Sequence, residues 1–225
     1  MHIPDGFFNA GISVAAGVGA AGGLTYSIRQ MRRYLSERLV PLAALVAAFV
    51  FAAQMVNFPV LPGMSGHLIG GVLAAVLLGP AAGFSIMAIV LIVQAFLFAD
   101  GGLSALGLNI INLGLVAAVS GYFVFRAILV LTSRSHRAIA SSAGVAAFLS
   151  VPMVAAAFVL EFAIGGMATS VSVSSVGWAM LATHTLIGVG EGIVTFFVVL
   201  AVVQARPDLV YGAPEYTGER TESYV

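Results

Sequence analysis

Between His67 and Ala99 the chain reads HLIGGVLAAVLLGPAAGFSIMAIVLIVQAFLFA, an apolar run without Arg, Lys, Asp or Glu, broken once at Gly79-Pro80. Whether this run is one helix or two decides the topology of everything after it. Its first half holds about 12 residues, a helix of roughly 18 Å at ~1.5 Å per residue. That is short against a hydrocarbon core of ~30 Å. The arginines arbitrate. With Arg29, Arg32, Arg33 and Arg38 in the cytoplasm, a hairpin at Gly79-Pro80 places Arg126, Arg134, Arg137 and Arg206 there too, whereas a single helix puts Arg134, Arg137 and Arg206 outside. Basic residues concentrate in the cytoplasmic loops of membrane proteins, so the hairpin is expected. The short helix need not begin at the membrane surface: residues 59–66 are expected to dip inward as an irregular loop, which is tolerated where protein or water covers its backbone.

The composition points to the same solvent. Hydrophobic residues make up 60% of the chain and charged residues 8%, with a mean hydropathy of +1.08, against roughly a quarter charged in soluble domains. The apolar runs are long and continuous rather than short and alternating, which favours helices over a barrel. Besides the run above they cover about Ala10–Ile28, Val40–Phe58, Leu106–Leu131, Ile139–Phe162 and Trp178–Val203. The expected fold is therefore an all-α integral membrane protein, a bundle of about seven transmembrane helices with the N-terminus outside and the C-terminus cytoplasmic. Residues 1–206 form one domain, and 207–225 a polar cytoplasmic tail with Glu215, Glu219 and Glu222. The start lacks the basic region of a signal peptide. There is no cysteine, so disulfides and thiolate metal sites are excluded; every basic residue is Arg, the net charge is zero, and nothing suggests nucleic acid.

On this topology the outer face carries no Arg, but it holds Asp5, Asp100 and Glu161 with His2 and His67; a cation meets no competing positive charge there. His2 is the most telling residue. Initiator methionine is removed before small residues and His is large, so Met1 is expected to stay. Its amine, the His2 amide nitrogen and the His2 ring then close two chelate rings on one ion. Three nitrogens from one strand favour a square-planar or tetragonal ion, Ni(II), Cu(II) or Co(II). His67, in FPVLPGMSGH (58–67), is the natural fourth ligand; its plain alternative is a helix-capping or interfacial His, as that of His2 is a surface terminus. His184 and Glu191 lie two turns apart on one face of the last helix. They are candidates for a second-shell network or an ion path, or for a structural polar contact. Gln94, Asn109, Asn112 and Asn57 are buried-amide candidates for interhelical hydrogen bonds, some of them orienting His67. Ser65 and Asp100 are further candidates near the ion, although Asp100-Gly101-Gly102 by itself reads as a plain turn. Small residues recur at Ala44, Ala48 and Ala52 and at Ala15, Gly19 and Gly23, where another helix or a partner subunit can approach closely.

These residues resemble a known family. The start MHIPDGF (1–7), then PGMSGHLIGG (62–71), LLGP (77–80), VQAFLFADGG (93–102), ALGLN (105–109) and HTLIGVGEG (184–192) are similar, in this order, to the CbiM/NikM family. Its members are the substrate-binding membrane components of energy-coupling-factor transporters for cobalt and nickel. The resemblance implies a square-planar nitrogen site with ligands matching the Met1 amine, the His2 amide and ring, and the His67 ring. It also implies an N-terminal helix that delivers the terminus into the site, and location in the plasma membrane of a prokaryote. The implied partners are a transmembrane coupling subunit, two ABC ATPases and often a small accessory membrane subunit. The family's docking helix matches the one carrying Ala44, Ala48 and Ala52. The chain has no Walker motif, so it is expected to be a transporter subunit without its own ATPase and without a cofactor, the ion being its cargo. Met64 stands where the family usually has Thr, which bears on metal preference; Pro4-Asp5-Gly6 looks more like the nickel-type members. Two other readings stay open at this stage: an intramembrane metal-dependent hydrolase using His67, His184 and Glu191, and a self-sufficient secondary transporter, for which no inverted repeat is evident.

Overall fold

The computed structural model describes residues 2–61, 64–133, 135–168 and 170–211, with backbone alone between 58 and 65. Met1, Arg134 and the acidic tail residues Glu215, Glu219 and Glu222 lie outside the described residues. Helix α1 spans Ala10–Tyr34 and α2 Val40–Met55; a short antiparallel pair, β1 (Phe58–Leu61) and β2 (Met64–Gly66), leads into α3 (Gly71–Leu78) and α4 (Pro80–Phe98). One continuous rod, Leu106–Val130, follows as α5 (Leu106–Ile110), a π-helical stretch (Ile111–Ser120) and α6 (Gly121–Val130). Helices α7 (His136–Gly165) and α8 (Val173–Ala205) complete the bundle. Six of these rods are long and apolar enough to cross a membrane; α3, at about 12 Å for its eight residues, is not. With α3 counted, the expected seven helices are present.

The hairpin at Gly79-Pro80 is real. Ala75 and Gly83, each four residues from Gly79, touch so closely that a Cβ on Gly83 would lie 2.9 Å from Ala75. Gly79 turns the chain at φ +88°, which favours glycine, and Pro80 starts α4, where its missing N–H costs nothing. Tyr34 and Tyr211 close over this turn, with the Ala82 N–H donating to the Tyr34 hydroxyl at 3.1 Å. The run from 59 to 66 departs from expectation. It is a β-hairpin, Phe58 opposite Gly66 and Pro59 opposite Ser65, not an irregular loop. The backbone pairs with itself, and Pro59 is tolerated because a two-stranded ribbon has an outer edge on each strand. Consequently α3 begins at Gly71 rather than at His67.

The packing is that of a membrane bundle. All of α3 is buried, at the centre against α4, the π-helical stretch, α6, α7 and α8. Large apolar side chains such as Val18, Leu45, Phe49, Leu97 and Phe197 face outward, as lipid allows. Small residues set the closest approaches. Gly144 of α7 and Gly192 of α8 each sit so that a Cβ would come 2.9 Å from the other's carbonyl oxygen. A Cβ on Gly107 would collide with the Gly17 backbone of α1. The helix directions place the described arginines of the loops and helix ends, Arg29, Arg32, Arg33, Arg38, Arg137 and Arg206, at the end opposite His2. Gly107→Ala should lower the thermal midpoint in detergent, by an amount corresponding to about 1–3 kcal/mol of overpacking. Gly22→Ala, where a Cβ would meet nothing within 4 Å, should leave the midpoint unchanged or raise it.

Candidate metal centre

The amino-terminal segment is held to the bundle at nearly every residue. The Ile3 N–H donates to Asn109 Oδ1 at 2.9 Å and Asn109 Nδ2 donates to the Ile3 carbonyl at 3.3 Å. That carbonyl also accepts from the Gly102 N–H at 2.8 Å. Asp5 Oδ1 accepts from the N–H and hydroxyl of Ser104 at 2.7 and 2.6 Å, and these bonds hold its carboxyl below the usual carboxylate range. Phe8 bridges to Gly166, and the Asn9 N–H donates to the Gly165 carbonyl at 2.8 Å. Asn9 then caps α1 by accepting from the Ile12 N–H at 3.1 Å. Ile3 and Phe8 are buried with Leu108, Phe158 and Phe162 in an apolar cluster of their own. Gly102 is required: a Cβ there would collide with the backbone between Pro4 and Asp5.

This stitching places the His2 ring, its side chain only 5% exposed, against His67. The two rings stack with centroids 4.7 Å apart and planes 22° from parallel. His2 Nδ1 bonds Asp100 Oδ1 at 2.8 Å, and Gln54 stands beside the ring. Its Nε2 is buried and has no hydrogen-bond partner among the described residues. His67 Nδ1 donates to the Leu68 carbonyl at 2.8 Å, which leaves Nε2 as the lone-pair nitrogen. Burial pushes both rings below the ordinary imidazole range, and for His67 the neighbouring His2 and His184 rings add to it.

The loop carrying His67 is fixed from α8 and α2. The Ile69 and Gly70 N–H groups donate to the two oxygens of Glu191 at 2.7 and 2.6 Å, and Gln54 Nε2 donates to the Ile69 carbonyl at 2.7 Å. Gly70, at φ +76°, could not carry a side chain in any case, since a Cβ would come 2.8 Å from Val50. Glu191 is thus a backbone clamp and does not form a side-chain pair with His184. His184 Nδ1 instead bonds the Met180 carbonyl at 2.7 Å, and its buried Nε2 has no hydrogen-bond partner among the described residues.

The other candidates divide. Asn109 orients the terminus rather than His67. Asn112 donates to Glu161 at 2.8 Å; Gln94 is fully buried, its amide unpaired among the described residues; Asn57 is exposed. Asp100 is more than a turn residue, since it holds His2. The side chain of Ser65, like Met1, lies outside the described residues. Gln54 is the residue that sequence reasoning missed; its one signal is an amide alone in the apolar run of α2. Ala44, Ala48 and Ala52 face outward, as do Ala15 and Gly19, whereas Gly23 lies against Phe84. Among the described residues no three His, Cys, Asp or Glu side chains converge into a metal cage. Two imidazoles meet there, with Asp100 and Gln54 beside the His2 ring.

Helices long and apolar enough to cross a membrane, with two imidazoles stacked at one end, define a multi-pass membrane protein with a buried polar site. The chain belongs to the CbiM family, described as the cobalt uptake substrate-specific transmembrane region, which matches residues 2–209; it is a metal-uptake component. It is 39% identical over 214 residues to an Archaeoglobus fulgidus protein that carries the name of a fused nickel transport protein, NikMN, covering 93% of this chain and 68% of that one. To the cobalt transport protein CbiM of Geobacter sulfurreducens it is 31% identical over 216 residues, covering 93% and 61%. The crystal structure of a truncated transition metal transporter superimposes with a TM-score of 0.82 at 27% identity, covering 91% of this chain and 99% of that one.

Glu191→Gln should leave one of the two backbone N–H groups facing an amide NH₂. An unsatisfied buried donor costs about 1–3 kcal/mol. The thermal midpoint should fall, and Ni(II) affinity measured by titration should fall with it, because the clamped residues lie two and three positions beyond His67.

Proposed function

We propose that this chain is the ion-capturing membrane component of an energy-coupling-factor ABC transporter for nickel or cobalt. The ion is held by the Met1 amine, the His2 amide and ring, and the His67 ring. The observation that carries this reading is the stacking of His2 on His67 by a terminus pinned at Ile3, Asp5, Phe8 and Asn9. Such a terminus supplies nitrogens where side chains alone do not make a cage. A terminal amine and the next amide close a five-membered chelate ring; that amide and Nδ1 of the same His close a six-membered one. Nε2 is too far from its own amide to do so. Since Nδ1 bonds Asp100 in the present arrangement, capture requires Asp100 to yield that atom to the ion. Amide coordination needs loss of a proton, so binding weakens as pH falls. The two rings, held below the ordinary imidazole range by burial, stay neutral further into acid, and the amide sets the acid limit.

Nickel is the preferred cargo, because the Pro4-Asp5-Gly6 start looks more like the nickel-type members. The N-terminus faces outside, with the arginine-bearing end in the cytoplasm. The partners are a transmembrane coupling subunit, two ABC ATPases and a small accessory membrane subunit; the outward-facing Ala44, Ala48 and Ala52 support α2 as the docking helix. The hydrolase reading is less favoured, because Glu191 is engaged through both oxygens by backbone N–H groups and does not meet His184.

The test is Ni(II) and Co(II) binding by protein with its native start and by protein with Gly-Ser placed before Met1. The native form should bind one ion tightly and the extended form should lose that affinity with every side chain intact. Equal binding by both would exclude Met1 as a ligand and overturn the reading.

A further inference from the structure

His184 is a buried imidazole for which the site above has no use. Its Nδ1 bonds the Met180 carbonyl at 2.7 Å; a carbonyl only accepts, so Nδ1 carries the hydrogen and Nε2 keeps its lone pair. That Nε2 is buried without a hydrogen-bond partner among the described residues, and the residue as a whole is 5% exposed. A buried lone pair with no donor costs free energy, and a first-row divalent ion is the kind of group that imidazole nitrogen takes up readily. The ring's position matters as much. His184, Ile187, Gly188 and Glu191 are buried on one face of α8. The same face grips the loop after His67, through Glu191 on the N–H groups of Ile69 and Gly70 and through Gly190, where a Cβ would lie 3.7 Å from Leu68 Cδ2. His184 stands on that face two turns nearer the start of α8 than the clamp.

We infer that His184 is a second ligand station for the transported ion, which it takes together with His67 when the terminal chelate lets go. The inference rests on the proposed function. Three of the four proposed ligand nitrogens belong to one strand. When that strand lifts, the ion keeps only His67 and would otherwise return to the side from which it came. A second imidazole on α8, inside the bundle, gives it a partner that stays behind.

The experiment compares native protein with His184→Ala, His184→Ser and His184→Cys, first for equilibrium Ni(II) binding and thermal midpoint, then for Ni(II) uptake into vesicles holding the complete transporter. The Ala and Ser variants should stay folded, bind Ni(II) as the native protein does, and transport it at least about tenfold more slowly, the size of effect seen when a group supporting a metal is removed. Cys, a ligating side chain, should restore much of the rate. Uptake at the native rate in all three variants would overturn the inference, as would an equal loss in all three including Cys, which would mark a structural role. Loss of equilibrium binding in the Ala variant would also overturn it, by placing His184 in capture. Failure of the native protein itself to bind Ni(II) would instead overturn the proposed function.

Discussion

A loop that enters a helical bundle at membrane depth must satisfy its own backbone, and here one carboxylate does most of that. Glu191, in the middle of α8, accepts the Ile69 and Gly70 N–H groups, while Gln54 of α2 donates to the Ile69 carbonyl. Both partners are buried, where an unpaired peptide group costs about 1–3 kcal/mol. The arrangement also resolves the usual objection to a buried carboxylate, since two N–H groups supply what solvent would. The clamp holds the loop between His67 and the start of α3, on which the meeting of the two imidazoles depends.

The terminus is the complementary half. Residues 3–9 are tied by hydrogen bonds to Asn109, Gly102, Ser104 and Gly165 and by an apolar cluster to α5 and α7. The strap thereby holds the His2 ring against His67.

Much of this was legible in the sequence. The apolar runs gave the helices, the distribution of arginines gave the Gly79-Pro80 hairpin, and His2 and His67 stood out because ionisable residues in so apolar a chain demand a reason. Other features were not legible, for physical reasons. Pro59 reads as a loop former, and a ribbon of two strands, each with a free edge, tolerates it. The π-helical stretch Ile111–Ser120 has the composition of any apolar helix, so no periodicity betrays it. Asp100 looks like a turn residue because its partner is 98 positions away. Glu191 reads as part of a network with His184, an ion path or a structural polar contact, whereas its partners are main-chain groups more than a hundred residues distant, for which the sequence holds no signal. Gln54 was overlooked because a lone amide in an apolar run reads as ordinary interhelical glue.

The central claim is that chain terminus and buried imidazole together make a planar, all-nitrogen site. X-ray absorption of the Ni(II)-loaded protein tests it most directly. The account predicts a four-coordinate spectrum with the pre-edge feature of square-planar Ni(II), a shell of nitrogen scatterers only, and the multiple-scattering pattern of two imidazoles. A six-coordinate spectrum with oxygen in the shell, or one with a single imidazole, would contradict it.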